Sequence, residues 1–170
     1  MDIDHPPQPK GKRAGLESGG PALRDAYWVS LSAREDAEPF GVARGGETVL
    51  NARGKALAGA WRELGELRDG VEPDAVQIGP NGLEGILLLP GKTSGTSALG
   101  AILRLFKVIS SLRLAHLGKT TRLRNAAVTG DKSTAKAPPP LWKRGYAEKA
   151  LADAAALAKA RKALKGKQAR

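Results

Sequence analysis

The sequence predicts an α+β domain in which an antiparallel sheet carries helices packed on one side. Three observations support this class. First, a chain of 170 residues is long enough for one domain with a proper core. Second, short runs rich in β-branched and aromatic residues alternate with segments that have helical apolar spacing. Third, two apolar runs are separated only by a Pro-Asn-Gly turn, which is typical of antiparallel strands.

The N-terminal third supplies the first two strands. Residues 1–22 are rich in Pro, Gly and charge and predict a flexible arm. A first strand is predicted from Ala26 to Ser32, where β-branched and aromatic residues are frequent. A short second strand, Thr48 to Leu50, follows the turn through Gly45 and Gly46.

The first helix is predicted to begin after Asn51, whose side chain is suited to capping a helix. Its apolar residues recur at helical spacing and predict one buried face: Leu57, Ala60, Trp61, Leu64 and Leu67. Trp61 is therefore interpreted as a core residue.

The strands 75–79 and 83–89 come next, and the second is apolar almost throughout, as in a central strand covered on both faces.

The remaining elements complete an α+β core at residues 23–118. Ser97 is a candidate cap for a helix that runs to about Leu117 and is closed by Gly118. Residues 119–140 are predicted to form a basic, Pro-rich linker, and residues 141–165 a tyrosine-bearing segment with an alanine-rich helix from about Ala147 to Lys165. Residues 166–170 form a basic tail.

Charge is distributed unevenly along the chain. Residues 1–100 hold 11 Lys and Arg against 14 Asp and Glu, a net charge of −3, whereas residues 101–170 hold 17 against 3, a net of +14. Residues 101–130 contain six basic residues and no acidic one, and they overlap a predicted helix. This asymmetry predicts a polyanionic partner for the C-terminal half, with nucleic acid favoured over other polyanions.

Composition excludes several classes of site and location. With no cysteine, the chain has neither disulfides nor thiolate zinc sites. No apolar run approaches the ~20 residues that span a bilayer. The N-terminus lacks the pattern of a secretory signal, so a cytosolic protein associated with the bacterial nucleoid, without a membrane partner, is expected.

Seven segments occur in an order and at spacings that resemble the single-tyrosine HUH transposases, in particular the REP-associated and insertion-sequence branch. The most specific is Pro80-Asn81-Gly82-Leu83-Glu84-Gly85-Ile86, which leads into Leu87-Leu88-Leu89. The others are Tyr27-Trp28-Val29-Ser30-Leu31, Phe40-Gly41, Val49-Leu50-Asn51 with Gly54 and Trp61, Val71-Glu72-Pro73-Asp74, Ser97–Ile102 with Phe106-Lys107, and Leu141-Trp142-Lys143-Arg144-Gly145-Tyr146. The resemblance implies a ferredoxin- or RRM-like sheet with the metal motif on a central strand.

The resemblance also implies a chemistry, of which this chain lacks parts. In the family, two histidines at i and i+2 of one strand hold a divalent ion, and a helix-borne tyrosine attacks a phosphodiester of single-stranded DNA to give a 5′-phosphotyrosine. Gly82 and Glu84 stand at the two histidine positions. Tyr146 is the candidate nucleophile, although the family's nucleophile could instead align with Ala147.

Three functions follow from these departures. The favoured one is a catalytically inactive, transposase-like protein that binds single-stranded or hairpin DNA without a cofactor. An active transposase or single-strand endonuclease would need a metal site for Mg²⁺ or Mn²⁺ rebuilt from Glu84, Glu148 and Tyr146, of which Glu84 alone is at most a residual ligand. An RNA-binding or protein-interaction adaptor on the same fold is the third.

Candidate nucleic-acid ligands come from the basic half of the chain. They are Arg104, Lys107, Lys119, Arg122, Arg124, Lys143 and Arg144, with Trp142 and Tyr146 as aromatic platforms for unpaired bases. Trp142 could equally anchor the preceding prolines to the core. A homodimer, with the last helix packed in cis or exchanged, is compatible with the resemblance.

Overall fold

The computed structural model describes residues 24–91, 96–129 and 140–168. The arm 1–22 and most of the Pro-rich part of the linker lie outside these residues. The elements, in chain order, are β1 Arg24–Ser32, β2 Gly41–Arg44, β3 Glu47–Leu50, α1 Ala52–Leu67, β4 Glu72–Gly79, β5 Gly82–Pro90, α2 Thr96–Thr129, β6 Ala147–Leu151 and α3 Ala154–Gln168. None of the described helices combines the length and apolarity that crossing a bilayer requires.

A four-stranded antiparallel sheet in the order β4-β5-β1-β6 forms the centre of the domain, and β2 and β3 form a separate hairpin. The α+β class and the antiparallel sheet are confirmed. β5 occupies an inner position in the sheet, as its apolar sequence predicted. Its apolar side chains are divided between the two faces. Leu87 and Leu89 join one apolar cluster and Ile86 and Leu88 the other.

One face of the sheet is covered by α1 and α2. Asn51 caps α1 as expected, since its Oδ1 accepts hydrogen bonds from the N–H groups of Arg53 and Gly54 at 2.9 and 3.0 Å. The Trp61 ring meets Phe106 of α2 edge to face, with centroids 5.5 Å apart. A Cβ on Gly85 would lie under 3.0 Å from the Trp61 ring, so glycine at this position lets the indole rest on β5.

The opposite face is covered by α3, which differs from the predicted one-sided arrangement of helices. Seven buried residues form this second cluster: Ala26, Ile86, Leu88, Leu151, Leu157, Ala160 and Leu164. The physical reason lies in β5, whose Ile86 and Leu88 would otherwise expose apolar surface to water. Leu157 and Leu164 of α3 supply the cover, and the Asp153 carboxylate caps this helix by accepting from Ala156 N–H at 2.7 Å.

Two predicted boundaries are wrong. Helix α2 continues through Gly118 to Thr129, because a single glycine costs only about 1 kcal/mol relative to alanine and no proline follows before residue 138. Residues 147–151 form strand β6 in place of the first turn of the last helix. Pairing with the edge of β1 satisfies their backbone groups, and this tertiary context overrides the helical propensity of alanine.

The C-terminal segment joins the sheet before β6 begins. Trp142 bridges to Ala33, and Lys143 N–H donates to the Ser32 carbonyl at 2.9 Å. The Trp142 side chain is 8% exposed and packs against the rings of Phe40 and Phe106 at centroid distances of 5.7 and 5.8 Å. Its indole N–H donates to Ser110 Oγ at 2.9 Å. The segment is therefore tied to α2 through Trp142.

Ser110→Ala tests this tie. The substitution leaves the buried indole N–H of Trp142 without its acceptor, and we expect a loss of about 1–3 kcal/mol in the free energy of unfolding, measured in urea. Thr120→Ala is the matched control, because its hydroxyl is exposed and donates to the His116 carbonyl of the same helix; its effect should stay within about 0.5 kcal/mol. Equal effects of the two substitutions would contradict the assigned role of Ser110.

Candidate nucleic-acid interface and the altered motif strand

The turn before β5 is built from Pro80 and Asn81, which join the paired residues Gly79 and Gly82. The Asn81 carbonyl accepts from Ala33 N–H at 2.8 Å, and the Pro80 carbonyl accepts from Phe40 N–H at 2.9 Å. These bonds fix the start of β5 against the end of β1. Asn81 thus acts as a turn residue of the motif, as its type and position suggest.

Gly82 stands at the first of the two ligand positions that the resemblance implies. It pairs with Ser32 of β1, and a Cβ added to it would lie under 3.0 Å from the Leu31 carbonyl oxygen. Real Cβ atoms do not approach backbone oxygen this closely. No side chain can therefore occupy this position unless β5 moves away from β1.

Glu84, at the second ligand position, is half-buried on the face that α3 covers. It lies directly opposite Gln77 of β4 and Ser30 of β1. These three residues, together with Gly79 and Gly82, line an open cavity of about 250 Å³. We refer to it as the motif pocket.

The motif pocket lacks the histidine pair that the resemblance implies as metal ligands. Its one carboxylate, Glu84, stands beside the neutral polar side chains of Gln77, Ser30 and Ser32. Over the described ranges, no group of three His, Cys, Asp or Glu side chains lies close enough to hold a metal.

Tyr146 and Glu148 lie on the other face of the sheet. Glu148 pairs with Val29, whose side chain belongs to the cluster under α1 and α2, whereas Glu84 pairs with Ser30. The Tyr146 hydroxyl lies 3.1 Å from the place that a Cβ on Gly100 of α2 would take. The structure therefore does not bring together Glu84, Glu148 and Tyr146, the three residues required for a rebuilt metal site.

The surroundings of Tyr146 also disfavour its use as a nucleophile. Tyr146 precedes a strand, not a helix as predicted, and desolvation raises the pKa of its phenol. The Glu148 carboxylate, which accepts a hydrogen bond from the phenol, raises this pKa further, and the opposing effect of Arg104 is smaller. A nucleophilic hydroxyl is normally activated in the opposite direction.

Lys107 has a structural role that the sequence did not indicate. Its ammonium donates to the carbonyl oxygens of Lys143 and Gly145 at 2.9 and 2.6 Å. Burial lowers the pKa of Lys107. Because its donors are directed at backbone carbonyls, Lys107 holds the 143–146 loop against α2 instead of facing solvent.

The loop and α2 together form an exposed basic surface. Arg104 lies beside Tyr146, whose ring is 36% exposed, and Arg144 projects from the loop. Lys143, also exposed, pairs with Glu35 at 3.0 Å. We call Arg104, Lys143, Arg144 and Tyr146 the loop surface; it unites four of the residues that the sequence singled out.

The other predicted ligands separate from this group. Lys119 is exposed further along α2, and the side chains of Arg122 and Arg124 lie outside the described residues. Trp142 is buried between two rings, which argues against its predicted use as a platform for bases and agrees with the alternative interpretation as an anchor.

Sequence reasoning missed a second basic surface on α3. Lys159, Lys162 and Lys165 recur at every third residue and are exposed, on the side of the helix away from Leu157 and Leu164. In the sequence, the lysines alternate with the leucines at helical spacing, and this pattern is typical of an ordered helix with one basic face and not of a solvated tail. Gln77 and Ser30 were missed because only the strand register places them beside Glu84.

Lys107→Met tests the anchoring of the loop. Two charge-assisted hydrogen bonds are lost, and we expect the free energy of unfolding to fall by about 1–3 kcal/mol in thermal or urea denaturation. Lys119→Met removes an exposed lysine from the same helix and should change stability by less than about 0.5 kcal/mol. If Lys107→Met changed stability as little as the control does, the hydrogen bonds of Lys107 would not be what stabilises the 143–146 loop.

The titration of Tyr146 tests the separation of the two faces. Glu148→Gln should lower the pKa of Tyr146 toward the ordinary value of about 10, whereas Glu84→Gln should leave it unchanged. The measurement is the near-ultraviolet absorbance change with pH, taken as the difference from Tyr146→Phe. Because folding raises this pKa, the protonated phenol contributes stability below pH ~10, and this contribution is lost as the pH rises through the folded pKa. If Glu84→Gln also shifted the pKa of Tyr146, both carboxylates would lie near the phenol, which would contradict the separation of the two faces.

Comparison with known proteins agrees with the geometry at the level of fold. No protein-family model and no curated protein matches the chain. Among solved structures, a candidate transposase from Deinococcus radiodurans R1 superposes with a TM-score of 0.51 at 12% sequence identity, over 89% of this chain and 96% of the other. A REP-associated tyrosine transposase bound to a REP hairpin gives a TM-score of 0.46 at 14% identity, over 87% of this chain and 69% of the other. The first of these superpositions shows that the chain has the transposase-like α+β fold that the resemblance of its sequence implies.

Proposed function

We propose that this protein binds single-stranded or hairpin DNA on a transposase-like fold and does not cleave it. One observation carries the proposal: the backbone of β1 closes the first metal-ligand position, Gly82, to any side chain. A loss of catalysis accounts for this arrangement without any new ligand geometry.

The separation of the remaining candidate groups supports the loss of cleavage. Transfer of a phosphodiester to a tyrosine requires the hydroxyl and the charge-stabilising group to meet at one phosphorus atom. Here the sheet lies between Glu84 and Tyr146, and the pKa of Tyr146 is raised. The lack of a group of three metal-ligating side chains among the described residues and the raised pKa of Tyr146 both support the proposed loss of cleavage.

The positive surface supports retention of binding. Residues 101–170 carry a net charge of +14, and the described part of this region presents cations on the loop surface and on α3. Arginine and lysine side chains neutralise backbone phosphates, and a half-exposed tyrosine can stack on an unpaired base. The combination favours a strand with unpaired bases over a uniform duplex. Association with the nucleoid follows for a protein of this kind.

A binding titration with labelled oligonucleotides tests the proposal. The panel holds a hairpin with single-stranded flanks, its full duplex, an RNA copy and a scrambled strand, at two salt concentrations, with unlabelled heparin as competitor. We expect the hairpin to bind most tightly. The affinity of Arg104→Ala/Arg144→Ala should fall about tenfold, and its slope of log affinity against log salt should flatten by about 1–2 units.

Arg44→Ala/Lys55→Ala is the matched control, since it removes two exposed cations from β2 and α1. It should leave the salt slope within about half a unit of the wild type. The same samples, incubated with Mn²⁺, are run on a denaturing gel. A covalent protein–DNA band that disappears in Tyr146→Phe would show an active enzyme and overturn the inactive assignment. Equal affinity for the hairpin and heparin would overturn specific DNA binding, and preference for the RNA copy would favour the RNA-binding alternative.

A further inference from the structure

Helix α3 carries a dense positive charge. It contains five basic residues and no acidic one. One of them, Arg161, is engaged within the domain, since its Nε donates to the Asp74 carboxylate of β4 at 2.6 Å. Lys159, Lys162 and Lys165 are exposed, and no ion pair joins them to any residue that the structure describes. We refer to these three lysines as the α3 stripe.

The stability of helix α3 does not explain the stripe. Lysine near the C-terminus of a helix interacts favourably with the helix dipole, but this effect falls off within the last turn. Lys159 and Lys162 lie further from the end of α3 at Gln168. Like charges one turn apart on a helix also repel one another. The three charges therefore indicate an anionic partner outside the domain.

The surroundings of the stripe narrow the kind of anion. The exposed residues beside the lysines are small: Ala155, Ala158, Ala163 and Gly166. Leu157 and Leu164 are buried against the sheet, and among the described residues no exposed large apolar side chain lies on α3. The helix thus has no apolar face left to insert into a membrane and no ring on which an unpaired base can stack.

Double-stranded DNA fits these properties best. The three lysines are spread over about 9 Å of the helix axis. A duplex presents one phosphate charge per about 1.7 Å of its own axis, so several phosphates come within reach of the three ammonium groups. Such contacts carry no sequence information and need no base to be exposed. The small residues between the lysines let the helix approach the DNA backbone closely.

The α3 stripe and the loop surface lie on opposite sides of the domain. Helix α3 packs mainly on β4 and β5, and β4 is the edge strand furthest from β6. The loop surface borders β6 and α2 on the other face of the sheet. Three layers of about 10 Å each separate the two surfaces by roughly 30 Å. Duplex DNA has a persistence length of about 500 Å, so a short duplex does not bend round the domain to reach both.

We propose that the α3 stripe binds the phosphate backbone of a second, double-stranded DNA segment. Because the loop surface holds the unpaired strand, one molecule of the protein then bridges two segments of DNA; this inference rests on the proposed function. Binding at the stripe is independent of sequence and weakens with salt, since three phosphate contacts contribute about 2.7 units to the slope of log affinity against log salt.

A capture assay tests the bridge. A hairpin with single-stranded flanks is immobilised and loaded with protein, unbound protein is washed away, and a labelled blunt duplex of unrelated sequence is added. We expect wild-type protein to retain the duplex. The stripe variant, Lys159→Ala/Lys162→Ala/Lys165→Ala, should load onto the hairpin within about twofold of the wild type. Its capture of the duplex should fall about tenfold, and its salt slope for the free duplex should flatten by about 2–3 units.

Arg44→Ala/Lys55→Ala/Arg68→Ala is the matched control. It removes three exposed cations from outside α3, and so lowers the net charge as much as the stripe variant does. We expect it to capture the duplex as the wild type does, because its cations do not belong to the stripe.

The loop surface is tested separately with Arg104→Ala/Arg144→Ala. This variant should load poorly onto the hairpin, yet its affinity for the free duplex should stay within about twofold of the wild type, because the stripe is intact. Alanine has a higher helix propensity than lysine, so the stripe variant should keep α3. Thermal unfolding verifies the fold of every variant.

The outcomes separate the bridge from the proposed function. Hairpin loading without capture of the duplex would overturn the bridge and leave the proposed function standing. Equal capture by a folded stripe variant would also overturn it, since a second copy of the chain or another surface would then hold the duplex. Tighter binding of wild-type protein to anionic phospholipid vesicles than to the duplex would assign the stripe to a membrane and overturn the bridge. Failure of wild-type protein to load onto the hairpin would overturn both.

Discussion

Strand β1 is the element on which the rest of this structure depends, because it pairs along both of its edges. On one side β5 is paired with it over its full length, from Arg24 opposite Pro90 to Ser32 opposite Gly82. On the other side it holds β6, and beyond β6 the bridge from Ala33 to Trp142. Backbone groups in a sheet interior must find partners, so the position of β1 fixes both the motif strand and the C-terminal segment.

The consequence for the site is a division of functions between the two faces. Tight pairing of β1 with β5 brings the Leu31 carbonyl against Gly82 and leaves no room for a ligand there. Pairing of β1 with β6 turns Glu148 toward the α2 side, away from Glu84. The same pairings that stabilise the sheet thus separate the groups that phosphoryl transfer would need together. Cations, in contrast, act on phosphates over several ångströms, and their effect does not require such precise placement.

The sequence predicted much of the fold because its signals were local. Asn51 before an amphipathic helix, the Pro80-Asn81 turn and the apolar run 83–89 each identify an element without reference to the rest of the chain. The errors occurred where distant residues decide the outcome. Alanines 147 and 150 favour a helix in isolation, yet the free edge of β1 draws them into a strand. Helix α3 covers the second face of the sheet because Ile86 and Leu88 lie there. The face on which these two side chains lie became clear only from the strand register.

The site was less predictable than the fold for the same reason. The absence of the histidine pair that the resemblance implies was visible in the sequence, since it concerns the identity of residues 82 and 84. The burial of Trp142 and the carbonyl partners of Lys107 depend on contacts between residues 32 to 38 positions apart, for which the sequence carries no pattern. The basic residues of the C-terminal half therefore looked alike in the sequence, and only the structure separates the anchor Lys107 from the exposed groups.

The chemistry that the resemblance implies would require more than histidines at positions 82 and 84. A histidine at position 82 needs a wider gap between β1 and β5. Two hydrogen bonds oppose this widening, because the Asn81 carbonyl accepts from Ala33 N–H and the Pro80 carbonyl accepts from Phe40 N–H. A nucleophile would also have to cross from the α2 face, where the ammonium of Lys107 holds the loop that carries Tyr146. Each contact that opposes such a change contributes to the stability of the present fold. Stability alone therefore favours the closed site, whereas the exposed cations repel one another and do not add to the stability of the compact state.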